Sequence, residues 1–135
     1  LEDNFTVLCE DLRELKGKIP FGYFDVVTCN PPYKISGGGI TNPEEGKLLA
    51  RHEAMCTMED VIKCASKLLQ FSGSFCMCQR PERLTDAMTL MRKYDLEPKE
   101  LRLVQGKSAK KPKLFLIKGK KGGKESNQGR FRKER

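Results

Sequence analysis

The chain has 135 residues, a length that suits one small domain and is too short for two ordinary ones. Hydrophobic residues make up 38% and charged residues 33% of the sequence, which predicts a globular, soluble protein rather than a disordered one. No apolar run approaches the roughly 20 residues of a membrane span, so we expect no membrane association. The chain opens Leu1-Glu2-Asp3-Asn4 without the features of a signal peptide, and we therefore expect an interior start and a cytoplasmic protein.

Positive charge is concentrated towards the end of the chain. Residues 106–135 carry 12 Lys/Arg and 2 Asp/Glu, whereas residues 1–105 carry 14 and 16. Several glycines separate the basic residues, which predicts a flexible basic tail. A polyanion such as nucleic acid suits this tail, and a solvated end that binds nothing specific is the alternative.

Six cysteines are present without the spacing of a disulfide scaffold or of a metal site. They are Cys9, Cys29, Cys56, Cys64, Cys76 and Cys78. His52 and Cys56 can meet on one helical turn, but a zinc site needs further ligands that the sequence does not supply. We therefore expect reduced, buried thiols and no metal.

Strand and helix patterns alternate along the chain. Runs of β-branched and apolar residues predict strands at 5–9, 24–29, 75–79, 100–104 and 113–117. Helical spacing predicts one helix that Thr57 caps and Gly73 ends, and a second from Glu82 to Tyr94, while Asp11 is placed to cap a short turn. This alternation predicts an α/β sheet wound by crossovers, in which ligands bind beyond the carboxyl ends of the strands.

The sharpest motif is Asn30-Pro31-Pro32-Tyr33, which directly follows the predicted strand 24–29. The apolar run of that strand is typical of a parallel sheet covered on both faces. The side-chain carbonyl of Asn30 and the backbone carbonyl of Pro31 are two acceptors that can take both hydrogens of a planar amino group. Tyr33 offers a face on which a flat group can stack. The alternative is a proline turn that merely ends a strand.

The segment Phe24-Asp25-Val26-Val27-Thr28-Cys29-Asn30-Pro31-Pro32-Tyr33 resembles the fourth motif of class I S-adenosylmethionine-dependent amino-group methyltransferases. The segments 50–53, 56–62, 80–84 and 91–94 resemble bacterial tRNA adenine-N6 methyltransferases that act on valine tRNA. The resemblance extends to about Lys124. The NPPY signature is shared with protein-glutamine and DNA-adenine methyltransferases, so it indicates the chemistry rather than the substrate.

The resemblance implies a Rossmann-like α/β sheet, S-adenosyl-L-methionine as the cofactor and adenine N6 in tRNA as the target. It implies that Asn30 through Tyr33 hold the target amino group, with Asn30 also beside the cofactor. Asp11 would accept from the adenine amino group of the cofactor, next to the Leu12 amide, although a helix cap is the alternative for Asp11. Further candidates for substrate or phosphate binding, with ordinary surface positions as the alternative, are Arg51, Arg80, Lys107, Lys110 and Lys111.

Two features of the family are absent from the sequence: the glycine-rich turn after the first strand and the acidic residue that ends the second. We therefore expect residues 1–118 to form only the later part of the catalytic domain, with the basic tail at 119–135. The family sheet order is three-two-one-four-five-seven-six, so the missing strands would lie between 6–9 and 25–29. We expect the first segment to be displaced, to pair non-natively or to be completed by another chain, and we expect self-association through exposed edges.

Two other functions stay open. The chain can be a noncatalytic nucleic-acid-binding module that retains the motif as a remnant. It can also belong to a protein-glutamine N-methyltransferase, although a basic tail suits an acidic polymer better.

Overall fold

The computed structural model describes residues 4–31, 56–108 and 110–123. Two helices lie in these residues, together with short 3-10 turns at Leu12–Glu14 and Pro81–Arg83. The helices are α1 (Met58–Leu68) and α2 (Leu84–Lys93), and the strands are β1 (Phe24–Cys29), β2 (Leu69–Gln79), β3 (Leu96–Val104) and β4 (Leu114–Lys121). None of the helices described is long and apolar enough to cross a membrane.

The four strands form one mixed sheet in the order β1-β2-β4-β3. β1 runs parallel to β2, and β4 is antiparallel to both of its neighbours. This order equals the last four positions, four-five-seven-six, of the sheet that the family resemblance implies. The expected fold class, an incomplete Rossmann-like α/β sheet, is therefore confirmed.

The core lies between the two helices and one face of the sheet. Alternate residues of a strand point to opposite faces, so Phe75 and Met77 of β2 face the helices together with Phe115 of β4. Ile62 of α1 and Met91 of α2 close this core, and both are fully buried. The opposite face is not covered by any described element, and it presents Thr28, Cys76, Leu116 and Lys118.

The predicted first strand at 5–9 is wrong. These residues have no regular structure, and the Phe5 and Val7 side chains are 72% and 77% exposed. A β-prone run forms a strand only when a neighbouring strand supplies hydrogen-bond partners, and no described strand lies beside it. The segment is displaced from the sheet, which is one of the three outcomes that the sequence analysis expects for it.

β1 has the predicted bounds but not the predicted surroundings. It lies at an edge of the sheet, and only one of its faces is covered. Val27 and Cys29 pack towards the core, whereas Val26 is 57% exposed on the other face. An apolar run therefore predicted the strand correctly but not its coverage, because coverage depends on elements distant in the sequence.

The first predicted helix begins as expected but ends earlier. Thr57 and Asp60 form a capping box, with Asp60 N donating to Thr57 Oγ1 at 3.1 Å and Thr57 N donating to Asp60 Oδ2 at 3.0 Å. The helix ends at Leu68, and Gly73 lies inside β2 rather than at a helix end. A Cβ on Gly73 would stand 3.1 Å from the Phe24 carbonyl oxygen, so glycine here allows the close approach of β1.

The last two strands are longer than predicted. β3 begins at Leu96, and β4 continues to Lys121, because these two residues pair across the hairpin. Residues 119–121 therefore belong to the sheet rather than to the basic tail. Gly119 suits this extension, since a Cβ there would stand 3.2 Å from the Leu96 and Glu97 carbonyl oxygens and would displace the end of the Met91 side chain.

We predict that Thr57→Ala lowers the free energy of unfolding by about 1 kcal/mol, because it removes the hydroxyl that caps α1. Urea denaturation followed by circular dichroism measures this change. Thr57→Ser is the matched control and should stay within a few tenths of the unmodified value. Equal losses in both variants would show that the methyl group of Thr57, and not its cap, stabilises the helix.

Candidate active site at the carboxyl edge of the sheet

Asn30 lies directly beyond the last residue of β1, with an exposed side chain, and the following Pro31 is buried. The Asn30 Oδ1 atom accepts a hydrogen bond from the Cys78 thiol, with a sulfur–oxygen distance of 3.0 Å. Three further members of the predicted site, Pro32, Tyr33 and Arg51, lie outside the described residues, as does His52.

Cys78 is a neighbour of the motif that the sequence analysis did not identify. The parallel register places Cys29 opposite Met77. Asn30, which follows β1, therefore lies beside Cys78 near the end of β2. This contact can be inferred from the β1–β2 register. A thiol is a weak hydrogen-bond donor, so an incoming amino group can replace it on Asn30 Oδ1.

An open groove of about 590 Å³ runs across the uncovered face of the sheet, with Asn30 at its β1 corner. Its lining is mostly apolar near β2, where Cys76 and Cys78 lie. Towards β3 the lining becomes charged and includes Arg102 and Lys118. The Lys118 ammonium nitrogen lies 3.8 Å from a carboxylate oxygen of Glu100. The groove therefore joins the amide of the motif to a cationic region of the same sheet.

Asp11 is occupied by a cap and by an ion pair. Its Oδ1 atom accepts from the Arg13 backbone nitrogen at 2.9 Å and from Arg13 Nε at 3.0 Å, while Oδ2 lies 2.7 Å from Arg13 Nη2. The hydrogen bonds from the Arg13 side chain, and then from its backbone N–H, lower the pKa of Asp11 from 3.8 to about 2. The alternative role of Asp11 as a cap is the one that the structure shows.

Leu12 does not share a groove with Asn30. It lines a second depression of about 310 Å³ along α1, with Phe21, Lys63 and Lys67. The described residues therefore do not bring the Leu12 part of the expected cofactor site into the groove that holds Asn30. Binding of the cofactor by Leu12 remains an expectation from the resemblance.

Arg80 follows β2 and lies at the same edge of the sheet as Asn30. Its backbone nitrogen donates to Oε1 of the buried Gln79 at 3.0 Å, and Pro81 then starts a 3-10 turn. The side chain of Arg80 is half-buried. The structure therefore places residue 30 and residues 79–80 at the carboxyl ends of neighbouring parallel strands.

All six cysteines are free thiols, but the expectation that they are buried is wrong. Cys9 is exposed and the others are half-buried, because they lie in the displaced segment, at the ends of elements, on the uncovered face or, for Cys64, in a surface depression along α1. Burial, with smaller effects from Cys56, Cys78 and Cys64, raises the pKa of Cys29 to about 11, so this thiol is protonated at neutral pH. No group of three metal-ligating side chains occurs in the part of the chain that the structure describes.

Comparison with known proteins finds relatives of one kind. The chain is 31% identical over 93 residues to the tRNA1(Val) (adenine(37)-N6)-methyltransferase of Porphyromonas gingivalis, covering 69% of this chain and 36% of that protein. It is 27% identical over 111 residues to the protein of that name from Bacteroides fragilis, covering 82% and 46%. The chain thus spans less than half the length of these curated relatives. No protein-family model matches it.

Solved structures agree on the fold. A predicted O-methyltransferase from Agrobacterium tumefaciens superposes with a TM-score of 0.59 at 20% identity, over 87% of this chain and 45% of that one. A putative DNA modification methylase from Thermus thermophilus, complexed with S-adenosyl-L-methionine, gives 0.54 at 18% identity, over 93% and 59%. The resemblance to class I methyltransferases is confirmed. This methyltransferase-like chain matches about half of each neighbour's length.

We predict that Arg13→Ala raises the pKa of Asp11 from about 2 towards 3.8, because it removes the guanidinium that holds the carboxylate. Since the folded pKa is the lower one, the pair contributes stability above about pH 3.8 and loses this contribution as the pH falls towards 2. Titration of the Asp11 carboxyl carbon by NMR measures both values. Lys18→Ala, which leaves Arg13 in place, is the control, and an unchanged pKa in Arg13→Ala would contradict the assignment.

Proposed function

We propose that this protein takes part in S-adenosylmethionine-dependent methylation of an adenine amino group, at N6, in tRNA, and that it acts in the cytoplasm. The observation that carries the proposal is the position of Asn30, whose side-chain carbonyl oxygen lies at the end of β1 and accepts a hydrogen bond from the weak thiol donor of Cys78. The names of the relatives from Porphyromonas gingivalis and Bacteroides fragilis support adenine in tRNA as the substrate.

The proposed chemistry rests on positioning. Asn30 Oδ1 and the Pro31 carbonyl accept the two hydrogens of the target amino group, and Tyr33 stacks on the base. These contacts reduce the conjugation of the nitrogen with the ring and aim its lone pair outwards. Because both acceptors are held at the end of a hydrogen-bonded strand, they need no reorganisation when charge develops on the nitrogen.

Of the expected active site, the described residues fit the part that holds the target amino group but not the part that holds the cofactor. S-adenosylmethionine supplies an electrophilic methyl group when it is bound. Asp11 has the right acceptor atoms for the adenine of that cofactor, but Arg13 occupies both of its oxygens. The sequence also lacks the family's glycine-rich turn, so we assign no residue of this chain to the methionine part of the cofactor.

Two alternatives make different predictions. A noncatalytic module would bind nucleic acid without methyl transfer. A protein-glutamine methyltransferase would modify an amide nitrogen, which the same two acceptors can hold. The cationic side of the groove and the exposed lysines beyond it favour a polyanionic substrate over a protein.

We predict that methyl transfer to bulk tRNA falls by roughly 100-fold or more in Asn30→Ala, because a preorganised polar contact to the reacting group is lost. The assay uses the full natural protein that contains this sequence, radiolabelled S-adenosylmethionine, and digestion of the product to nucleosides. Label should appear in N6-methyladenosine. Asn4→Ala, an exposed asparagine far from the motif in the sequence, is the matched control and should retain activity.

The substrate arms of this assay separate the alternatives. Label in DNA or in protein glutamine, with tRNA unlabelled, would overturn the proposed substrate. Binding of tRNA without label in any of the three would favour the noncatalytic module. Calorimetric titration of S-adenosylmethionine into the full natural protein, with its Asp11→Ala variant beside it, tests the role of Asp11 that the resemblance implies: measurable and equal heats in both proteins would remove that role.

We also propose that the free edge of β1 supports self-association of this chain. Among the described strands β1 pairs with β2 alone, and the resemblance places another strand on its other side. Its outer residues include the exposed Val26, and an unpaired apolar edge is a template for strand addition.

Light scattering after gel filtration should show a mass that increases with concentration. We predict that Val26→Lys reduces this increase, because a charge on an edge strand opposes strand addition. Leu103→Lys, on the β3 edge, is the matched control, since Leu103 is also about half exposed. A larger effect of Leu103→Lys would assign association to the β3 edge instead.

A further inference from the structure

Four lysines form a cluster between β3 and β4. Lys107, Lys110, Lys111 and Lys113 are exposed, and no acidic residue occurs between Glu100 and Glu125. We call residues 105–113 the hairpin loop and these four residues the lysine cluster. Like charges at this density repel one another, so the cluster costs folding free energy unless an anion is bound.

The lysine cluster is not neutralised by any carboxylate of the described residues. Elsewhere, several lysine ammonium groups lie within 4 Å of a carboxylate: Lys18 with Glu10 at 3.2 Å, Lys93 with Glu59 at 2.7 Å and Lys118 with Glu100 at 3.8 Å. Within the described ranges, none of the four cluster residues makes such a pair. Their charge is therefore available to a ligand.

The sheet places the hairpin loop at the same edge as Asn30. Phe115, near the start of β4, lies opposite Gln79, the last residue of β2. Asn30 follows β1, which is the next strand on the other side of β2. Because neighbouring strands are about 4.8 Å apart, the base of the loop lies roughly 10 Å from the end of β1.

The hairpin loop is anchored at its base. The Lys113 backbone nitrogen donates to the Val104 carbonyl oxygen at 2.8 Å, and the two strands then pair along their length to Leu96 and Lys121. The half-buried Pro112 restricts the backbone beside this closing bond. Ammonium groups on such a hairpin lose less conformational entropy on binding than those on a free tail.

We propose that the lysine cluster binds the phosphodiester backbone of the RNA that presents its adenine at Asn30. This inference rests on the proposed function and specifies its substrate-binding surface. The contacts are made to phosphates and not to bases, so they set the position of the strand without reading its sequence. The hairpin loop thereby places nucleotides that flank the target within reach of the carboxyl edge.

The experiment measures tRNA binding to this chain by fluorescence anisotropy over a series of salt concentrations. Each phosphate contact contributes about 0.7 to the slope of log affinity against log salt on a single strand, so neutralising four lysines should reduce its magnitude by roughly 2 to 3. The test variant changes Lys107, Lys110, Lys111 and Lys113 to Gln. Its affinity should fall by roughly tenfold or more at physiological salt.

The matched control removes four lysines from other places: Lys16, Lys63, Lys67 and Lys120. The first three line the depression along α1, and Lys120, near the end of β4 that is distant from the hairpin loop, pairs with Ser74 in the middle of β2. The control should change the slope by less than one. A third variant with four arginines in the lysine cluster keeps the charge and should bind like the unmodified chain. Equal slopes in the test and control variants would overturn the proposal, because general charge would then explain binding.

Kinetics of the full natural protein separate this proposal from the proposed function. The test variant should raise KM for tRNA and leave kcat nearly unchanged, whereas Asn30→Ala should lower kcat. Normal tRNA methylation with an unchanged KM in the test variant would overturn the lysine-cluster proposal alone. Absence of methylation in the unmodified protein, with slopes that still differ as described, would overturn the proposed function and leave the binding surface in place.

Discussion

The register of β2 is the constraint on which the rest of the structure depends. One set of alternate side chains, including Phe75 and Met77, packs on the helices, and the other set faces outwards. The same register brings Cys78 to Asn30 on one side and Gln79 to Phe115 on the other. A slip of one residue would bury the outward thiols, expose Phe75 and separate the motif from the hairpin loop.

This constraint operates in a sheet of which the described elements cover only one face. The buried side chains come from α1, α2 and the facing residues of the strands, while Val26 and Leu116 remain 57% and 43% exposed on the other face. Fully burying such a side chain is worth about 1.5–3 kcal/mol, so covering this face would add considerably to the stability of a small domain. The chain matches about half of each structural neighbour, and among the described residues no element lies on this face of the sheet or beside the outer edge of β1.

Local chemistry predicted those features that depend on near neighbours in the sequence. The bounds of β1 follow from its apolar run and the prolines after it, and Thr57 was identified as a cap from the acidic residues that follow it. Features that depend on distant contacts were not predictable in this way. Gly73 looked like a helix end because its close approach to Phe24 is a tertiary contact. The 5–9 segment looked like a strand because propensity does not show whether a partner strand exists.

Within the candidate site, the position of Asn30 followed from the motif. The contact with Cys78 could be inferred only from the strand register, and the pairing of Asp11 only from the Arg13 rotamer.

The proposed site combines two kinds of recognition that act over different distances. Lysine ammonium groups attract phosphates over about a Debye length, roughly 8 Å at physiological salt, and they do so without regard to sequence. Asn30 and Pro31 act only at hydrogen-bond distance, and both of their acceptors are neutral. The base of the hairpin loop lies roughly 10 Å from the end of β1, which exceeds this Debye length, so a change of charge at residue 30 would be largely screened from phosphates at the loop. The two kinds of recognition therefore act nearly independently: the lysines set where the strand lies, and the motif holds the amino group at the carboxyl edge of the sheet.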